Sequence, residues 1–268
     1  MTRTAIIAGR GGLPAALVAA MAERPFVAAL DGFSPVGVEP DLTFRVERLV
    51  PFLRALEDAG VTRVCFAGAV ERPRLDPALF DPDTATMVPR LLAAMGQGDD
   101  ATLREVLAIF DEAGFALVGV PEIAPALVPA AGVLCGTVTD RDRADAMRAA
   151  AIVAALGRVD VGQGAVVQQG LCLAVEALPG TDAMLAAVAA IPAHLRPAGA
   201  RGVFLKAPKP LQDRRIDLPA LGVETVRRVA AAGLGGIVFE AGGVICLDLP
   251  LMLAEAEAQG LFLWAREP

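Results

Sequence analysis

Apolar positions along this chain fall into short blocks that alternate between two periods. Residues 4–8, 26–30 and 63–67 are compact apolar runs bounded by glycine, proline or charge, as buried strands are. Between them, residues 13–23 and 49–59 repeat their apolar positions every three to four residues, as helices do. Strand and helix in strict alternation predict a parallel sheet covered by helices. Two further helices are expected at 85–95 and 100–113, then a strand at 115–120. From 121 to 136 periodicity is lost in a run rich in Pro, Ala and Gly, which marks a boundary. A long helix at 141–156 opens the second half. Strands are expected at 165–169 and 171–177 around Gly170, at 202–205 and at 261–264, with helices at 182–190, 223–231 and 249–259. Residues 236–239 and 244–247 read as a hairpin about Gly242-Gly243. The expected fold class is therefore α/β: an N-terminal Rossmann-like parallel-sheet domain over 1–130, a linker over 131–140, and a C-terminal mixed-sheet α/β domain over 141–268.

Composition narrows the chemistry. The apolar fraction is 55%, yet no run approaches the ~18 uninterrupted apolar residues of a membrane span. The first residues read directly as a strand and a glycine turn, without a signal-peptide pattern, so a cytoplasmic protein is expected. A net charge of −7 argues against nucleic acid as a partner. Four scattered cysteines, Cys65, Cys135, Cys172 and Cys246, have no metal-finger spacing and read as reduced thiols. The chain has one histidine, His194, one serine, Ser34, and no tyrosine, which leaves little for a histidine-dependent triad. His194 reads as a loop or helix-end residue. A metal, if used, would be a hard cation held by oxygen.

Against that background the only two lysines, Lys206 and Lys209, fall in one stretch that runs on through Gln212 and Arg215 to Asp217. Arginine serves everywhere else. A compact ammonium suits a phosphate, and Pro208 and Pro210 stiffen the backbone around it. The expected element is an anion-binding loop followed by a carboxylate, Asp217. Gly9, Gly11 and Gly12 follow the first strand and would let an anion approach helix-start amides. Pro14 stands where a dinucleotide fingerprint wants its third glycine, although Asp31, twenty residues past Gly11, could mimic the ribose-binding acid. Gly68 and Arg72, after the third expected strand, point to the same crevice. Gly98-Asp99-Asp100 is read as a cap for the helix expected from about Ala101, and Thr181 or Asp182 as a cap for a later one. Glu176, in an otherwise apolar strand, must be exposed, paired or functional.

Several of these strings together resemble one family. Ile7-Ala8-Gly9-Arg10-Gly11-Gly12-Leu13-Pro14, Phe66-Ala67-Gly68-Ala69-Val70-Glu71-Arg72-Pro73, Gly98-Asp99-Asp100, Asp160-Val161-Gly162-Gln163-Gly164-Ala165-Val166-Val167, Glu176 to Asp182 and, most specifically, Lys206 to Pro219 are similar to the LpxI-type UDP-2,3-diacylglucosamine pyrophosphatases. The resemblance runs nearly end to end. Arg10 and Asp213 depart from it, standing where the family commonly has glycine and glutamate. It implies an enzyme of lipid A biosynthesis in a Gram-negative bacterium that cleaves UDP-2,3-diacylglucosamine to UMP and 2,3-diacylglucosamine 1-phosphate with Mg²⁺ or Mn²⁺. It further implies a homodimer in the cytoplasm, transient contact with the inner membrane, a ligand chamber between domains, and Asp217 as the essential, metal-holding aspartate. Substrate contacts are expected from Gly9, Gly11, Gly12, Gly68, Arg72, Gln163, Thr181, Gln212 and Arg215, with Lys206 and Lys209 catalytic. The competing readings are a Rossmann-type oxidoreductase or nucleotide-sugar enzyme, and a non-catalytic nucleotide- or lipid-binding regulator.

Overall fold

A computed structural model describes residues 2–71, 74–210 and 212–268, with only the backbone of Asp99 and Asp100. The chain divides into two compact units, one of residues up to Pro125 together with Arg215–Asp217, the other of Ala126–Arg214 and Leu218–Pro268.

The first unit is built from β1 (Arg3–Ala8), α1 (Leu13–Ala20), β2 (Phe26–Leu30), β3 (Leu42–Phe44), α2 (Leu49–Asp58), β4 (Val61–Ala67), α3 (Pro82–Ala85), α4 (Val88–Met95), α5 (Asp99–Glu112), β5 (Ala116–Leu117) and α6 (Val120–Ile123). Its sheet is parallel with strand order β3-β2-β1-β4-β5. The chain reverses its direction of winding between β1 and β4, so the loops that leave these two strands flank the crevice where open parallel sheets bind ligands. β1 is buried along all but its first residue, as a strand covered on both faces must be. Behind it Phe52, Leu56, Phe110 and Phe115 pack a core in which the Phe66 and Phe110 rings meet edge to face at 5.1 Å. The cap of α5 is Gly98, at φ 122°, so neither following aspartate holds the capping position.

The second unit contains β6 (Gly132–Cys135), α7 (Asp140–Gly157), β7 (Gly164–Gln168), β8 (Leu171–Val175), α8 (Gly180–Ala189), β9 (Val203–Lys206), β10 (Ala220–Leu221), α9 (Val223–Ala231), β11 (Gly236–Glu240), β12 (Ile245–Cys246), α10 (Leu249–Ala258) and β13 (Phe262–Arg266). Its main sheet runs β6-β13-β11-β9-β7-β8. The β9, β11 and β13 strands are parallel, while β6, β7 and β8 run antiparallel to their neighbours. The mixed sheet expected from sequence is therefore present.

Alternation decides what each face carries. Ala165, Val167, Val203 and Leu205 pack against Ala146, Ala149 and Val153 of α7. Val166 and Phe204, one residue out of step, join the opposite core with Met184, Leu185 and Val188 of α8. The same alternation puts Lys206 and its cross-strand partner Gly164 on the α8 face. A two-residue turn, Gln169-Gly170, with φ of 52° and 77°, closes the β7–β8 hairpin. Buried Asp145 accepts from both turn amides, at 2.9 and 2.8 Å, and pairs with Arg141.

The expected hairpin about Gly242-Gly243 does not form. β11 already has β9 on one edge and β13 on the other, so β12 pairs instead with β10 in a separate two-stranded sheet. Gly132–Cys135, inside the stretch read as linker, pairs with β13, because a free sheet edge overrides weak local propensity.

Candidate active site

Two glycine turns interlock in the first unit. Gly9 N donates to Ala67 O at 2.8 Å, Arg10 N to Ala69 O at 2.9 Å and Ala69 N to Arg10 O at 3.0 Å. A Cβ at Gly9 would lie 2.6 Å from Ala69 O, and one at Gly68, where φ is +97°, would lie 2.7 Å from the oxygens of Gly9 and Arg10. These two glycines are thus required by backbone approach. Gly11, at φ +95°, and Gly12, the N-cap of α1, have open space around them. Amides at a helix start with space beside them can receive an anion.

The Arg10 side chain is turned away from that role. Its guanidinium donates to Glu71 at 2.9 Å and to Gly32 O at 3.1 Å, and lies 4.8 Å from the Phe33 ring centroid. Arg10, Asp31, Phe33 and Arg45 line a cleft of about 300 Å³. Asp31 accepts from Arg45 at 2.6 Å. Arg45 also pairs with buried Glu47. Burial opposes the charge on Glu47, but the Asp76 amide and the Arg45 guanidinium outweigh it and hold the carboxyl below its ordinary value. Arg72 lies outside the described residues.

The second unit gathers the lysine loop with two motifs that are distant in sequence. Lys206 ends β9 and is buried, and its Nζ lies 3.2 and 3.3 Å from the Glu176 oxygens and 2.5 Å from Thr181 Oγ1. Thr181 sits in the first turn of α8, whose N-cap is Pro179. It therefore binds the lysine and does not cap the helix. Lys209 Nζ meets Asp160 Oδ1 at 2.5 Å. Gln212 Oε1 accepts from the Lys209 amide at 2.8 Å and from Gln163 Nε2 at 2.9 Å, which ties the loop to the turn before β7. A Cβ at Gly157, the last residue of α7, would lie 2.7 Å from Pro210 Cδ, so the loop lies close against that helix end.

The lysines are less free than the sequence implies. Each faces its own carboxylate, so the pairs Lys206–Glu176 and Lys209–Asp160 carry no net charge. They offer fixed donors, and the counter-charge for a diphosphate has to come from elsewhere. Glu176 was legible as an anomalous carboxylate, but its partner was not. Asp160 was overlooked as a site residue. It takes φ 56°, uncommon for a residue with a side chain, and that conformation marks the turn.

Arg215 and Asp217 group by contacts with the first unit, where a Cβ on Gly119 would come within 3.2 Å of Arg215 Cα. Arg215 is exposed and Asp217 half-buried. Among the described residues no three His, Cys, Asp or Glu side chains assemble into a metal cage. His194 lies exposed in a short helical turn, as expected. The four cysteines are free, and burial pushes the Cys65 and Cys246 thiols up to about 12.

A Rossmann-like unit with interlocked glycine turns, joined in one chain to a mixed sheet bearing fixed lysines, defines a two-unit α/β enzyme suited to an anionic ligand. Two family models make the class specific: the LpxI N-terminal domain matches residues 3–127 and the LpxI C-terminal domain residues 130–264. The chain belongs to the LpxI family. It is 40% identical to the UDP-2,3-diacylglucosamine pyrophosphatase LpxI of Caulobacter vibrioides, over an alignment that takes in 100% of this chain and 99% of that protein.

Proposed function

We propose that this protein hydrolyses the pyrophosphate bond of UDP-2,3-diacylglucosamine, releasing UMP and 2,3-diacylglucosamine 1-phosphate. The observation that carries the reading is the gathering of Lys206, Lys209, Thr181, Gln163 and Gln212 in a chain that matches a curated pyrophosphatase from end to end. Phosphoanhydride hydrolysis needs a positioned water and stabilisation of charge on the phosphoryl oxygens more than it needs a covalent nucleophile. Lys206 and Lys209 donate to those oxygens from fixed positions. Thr181 accepts from Lys206, which leaves its own hydroxyl hydrogen for a phosphoryl oxygen. Asp217 orients the attacking water and would hold the divalent ion, whose contribution is to neutralise the diphosphate. That contribution matters because the two lysine pairs are already balanced.

The same proposal has a cytoplasmic homodimer that collects its lipid by transient contact with the inner membrane. No helix among the described residues is long and apolar enough to cross a membrane. The deciding assay follows UMP release from UDP-2,3-diacylglucosamine with and without chelator. Turnover should stop on exhaustive metal removal and return with Mg²⁺ or Mn²⁺. Full activity in chelator would leave catalysis to lysine and arginine alone, and tight NAD(P) binding without UMP release would revive the oxidoreductase reading.

Burial also predicts unequal behaviour of the lysines. Lys206 is 6% exposed among fixed partners, so the larger, forked side chain of Lys206→Arg has no room to place its charge equivalently. We expect kcat/KM to fall at least about tenfold, or ~1.4 kcal/mol of transition-state stabilisation. Lys209 is less buried and should tolerate Arg better. Wild-type kinetics for the double Lys206→Arg, Lys209→Arg variant would remove both residues from the mechanism.

A further inference from the structure

The Lys206–Glu176 pair is unusual in its setting. The α8 face of the main sheet is otherwise apolar around it, with Phe204, Val166 and Leu185 fully or almost fully buried. An apolar pair of similar volume would fill the space without the cost of desolvating two charges. Yet the strand opposite leaves space for the carboxylate. A Cβ on Gly164, which is paired with Lys206 across the sheet, would come within 2.6 Å of Glu176 Oε2. A Cβ on Gly162 would lie 2.0 Å from the Glu176 carbonyl oxygen, and Glu176 N donates to Gly164 O at 2.8 Å. Gly162 thus admits the Glu176 main chain, and Gly164 leaves the space that its carboxylate fills.

Donor accounting gives the seat a purpose. An ammonium has three N–H bonds. Both Glu176 oxygens lie within reach of Nζ, at 3.2 and 3.3 Å, but two oxygens of one carboxylate subtend too small an angle for two tetrahedral N–H bonds, so they share one; a second goes to Thr181, and the direction of the third is fixed by these acceptors at the end of β8 and the start of α8. We propose that Glu176 is a positioning residue: it sets the direction in which Lys206 presents its remaining N–H to the diphosphate, without touching substrate itself. This rests on the proposed pyrophosphatase reaction, in which Lys206 contacts a phosphoryl oxygen. It also explains why the carboxylate occupies a glycine-lined seat rather than a solvated loop, where it would attract the ammonium without orienting it.

The test is a double-mutant cycle on the full-length enzyme, with wild-type UMP release measured alongside. Displacing a donor by about an ångström can cost on the order of a hundredfold in rate. Glu176→Ala should therefore lower kcat by about that factor while KM stays within about threefold. Glu176→Gln, whose amide oxygen can still accept from Nζ, should recover at least about tenfold of that loss. In the Lys206→Met background, Glu176→Ala should slow the enzyme no further, because its effect passes through the lysine. Losses that multiply in the double variant, or Gln no better than Ala, would overturn the positioning role in favour of a merely structural carboxylate. If Glu176→Ala does not fold by circular dichroism, the cycle is run with Glu176→Asp, which withdraws the carboxylate by one methylene. In that version, wild-type kcat overturns the proposal. Absence of UMP release from the wild-type enzyme would instead overturn the reaction on which the proposal depends.

Discussion

An Asp217→Ala enzyme should bind UDP-2,3-diacylglucosamine nearly as well as the wild type and turn it over about a thousandfold more slowly, the middle of the range spanned by positioned acid–base groups. The carboxylate acts on the attacking water and the divalent ion, and both contribute most when charge develops on the phosphoryl oxygens. Its loss should therefore appear in kcat and leave KM almost unchanged. Asp217 is half-buried and has partners of its own, so the alanine variant needs a stability check before its kinetics are read. Asp217→Asn keeps the shape while removing the charge, and should be as slow as the alanine variant if metal holding or water orientation is the function. Retention of most of kcat by either variant would move the essential carboxylate elsewhere. Asp160 and Glu176 are poor replacements, since each already meets a lysine.

The elements that the sequence revealed are those whose signal is local. The β2 bounds, Phe26–Leu30, coincide with the sequence reading because one apolar run is closed by Pro25 before it and Asp31-Gly32 after it. The Gln169-Gly170 turn was legible for the same reason. The hairpin about Gly242-Gly243 failed because strand pairing is decided by which edges are free, and both edges of β11 are taken. β3 was missed because three half-exposed or exposed residues carry too little periodicity to register. At the site, the residue types pointed to phosphate chemistry before any geometry was known. What they could not show was that Lys206 lies across from Gly164 and beside Glu176, thirty residues earlier in the chain, because that depends on the antiparallel register of β7 and β9. Lys206 and Lys209 therefore read as free cations, whereas in the structure they are oriented donors with their charge already balanced.

The last expectation concerns the lipid. UDP-glucosamine lacking both acyl groups should be a very poor substrate, and kcat/KM should climb as the two chains are lengthened in a detergent-controlled assay. Each methylene removed from water contributes about 0.8 kcal/mol, close to a factor of four, so a few sequestered carbons outweigh one additional hydrogen bond to the sugar. The second unit offers apolar side chains to solvent close in sequence to the partners of its two lysines. Leu178, between Glu176 and Thr181 in sequence, is 98% exposed, and Val161, which follows Asp160, is 41% exposed. A single exposed leucine is ordinary, but two exposed aliphatic side chains close in sequence to the carboxylate partners of Lys206 and Lys209 suit the proposed ligand, with its charged head and aliphatic tails. Leu178→Asp should then raise KM for the diacylated substrate several-fold while leaving any slow turnover of the deacylated compound unchanged. Equal kcat/KM for deacylated and diacylated compounds would instead describe a general nucleotide-sugar pyrophosphatase, in which the acyl chains contribute nothing to recognition.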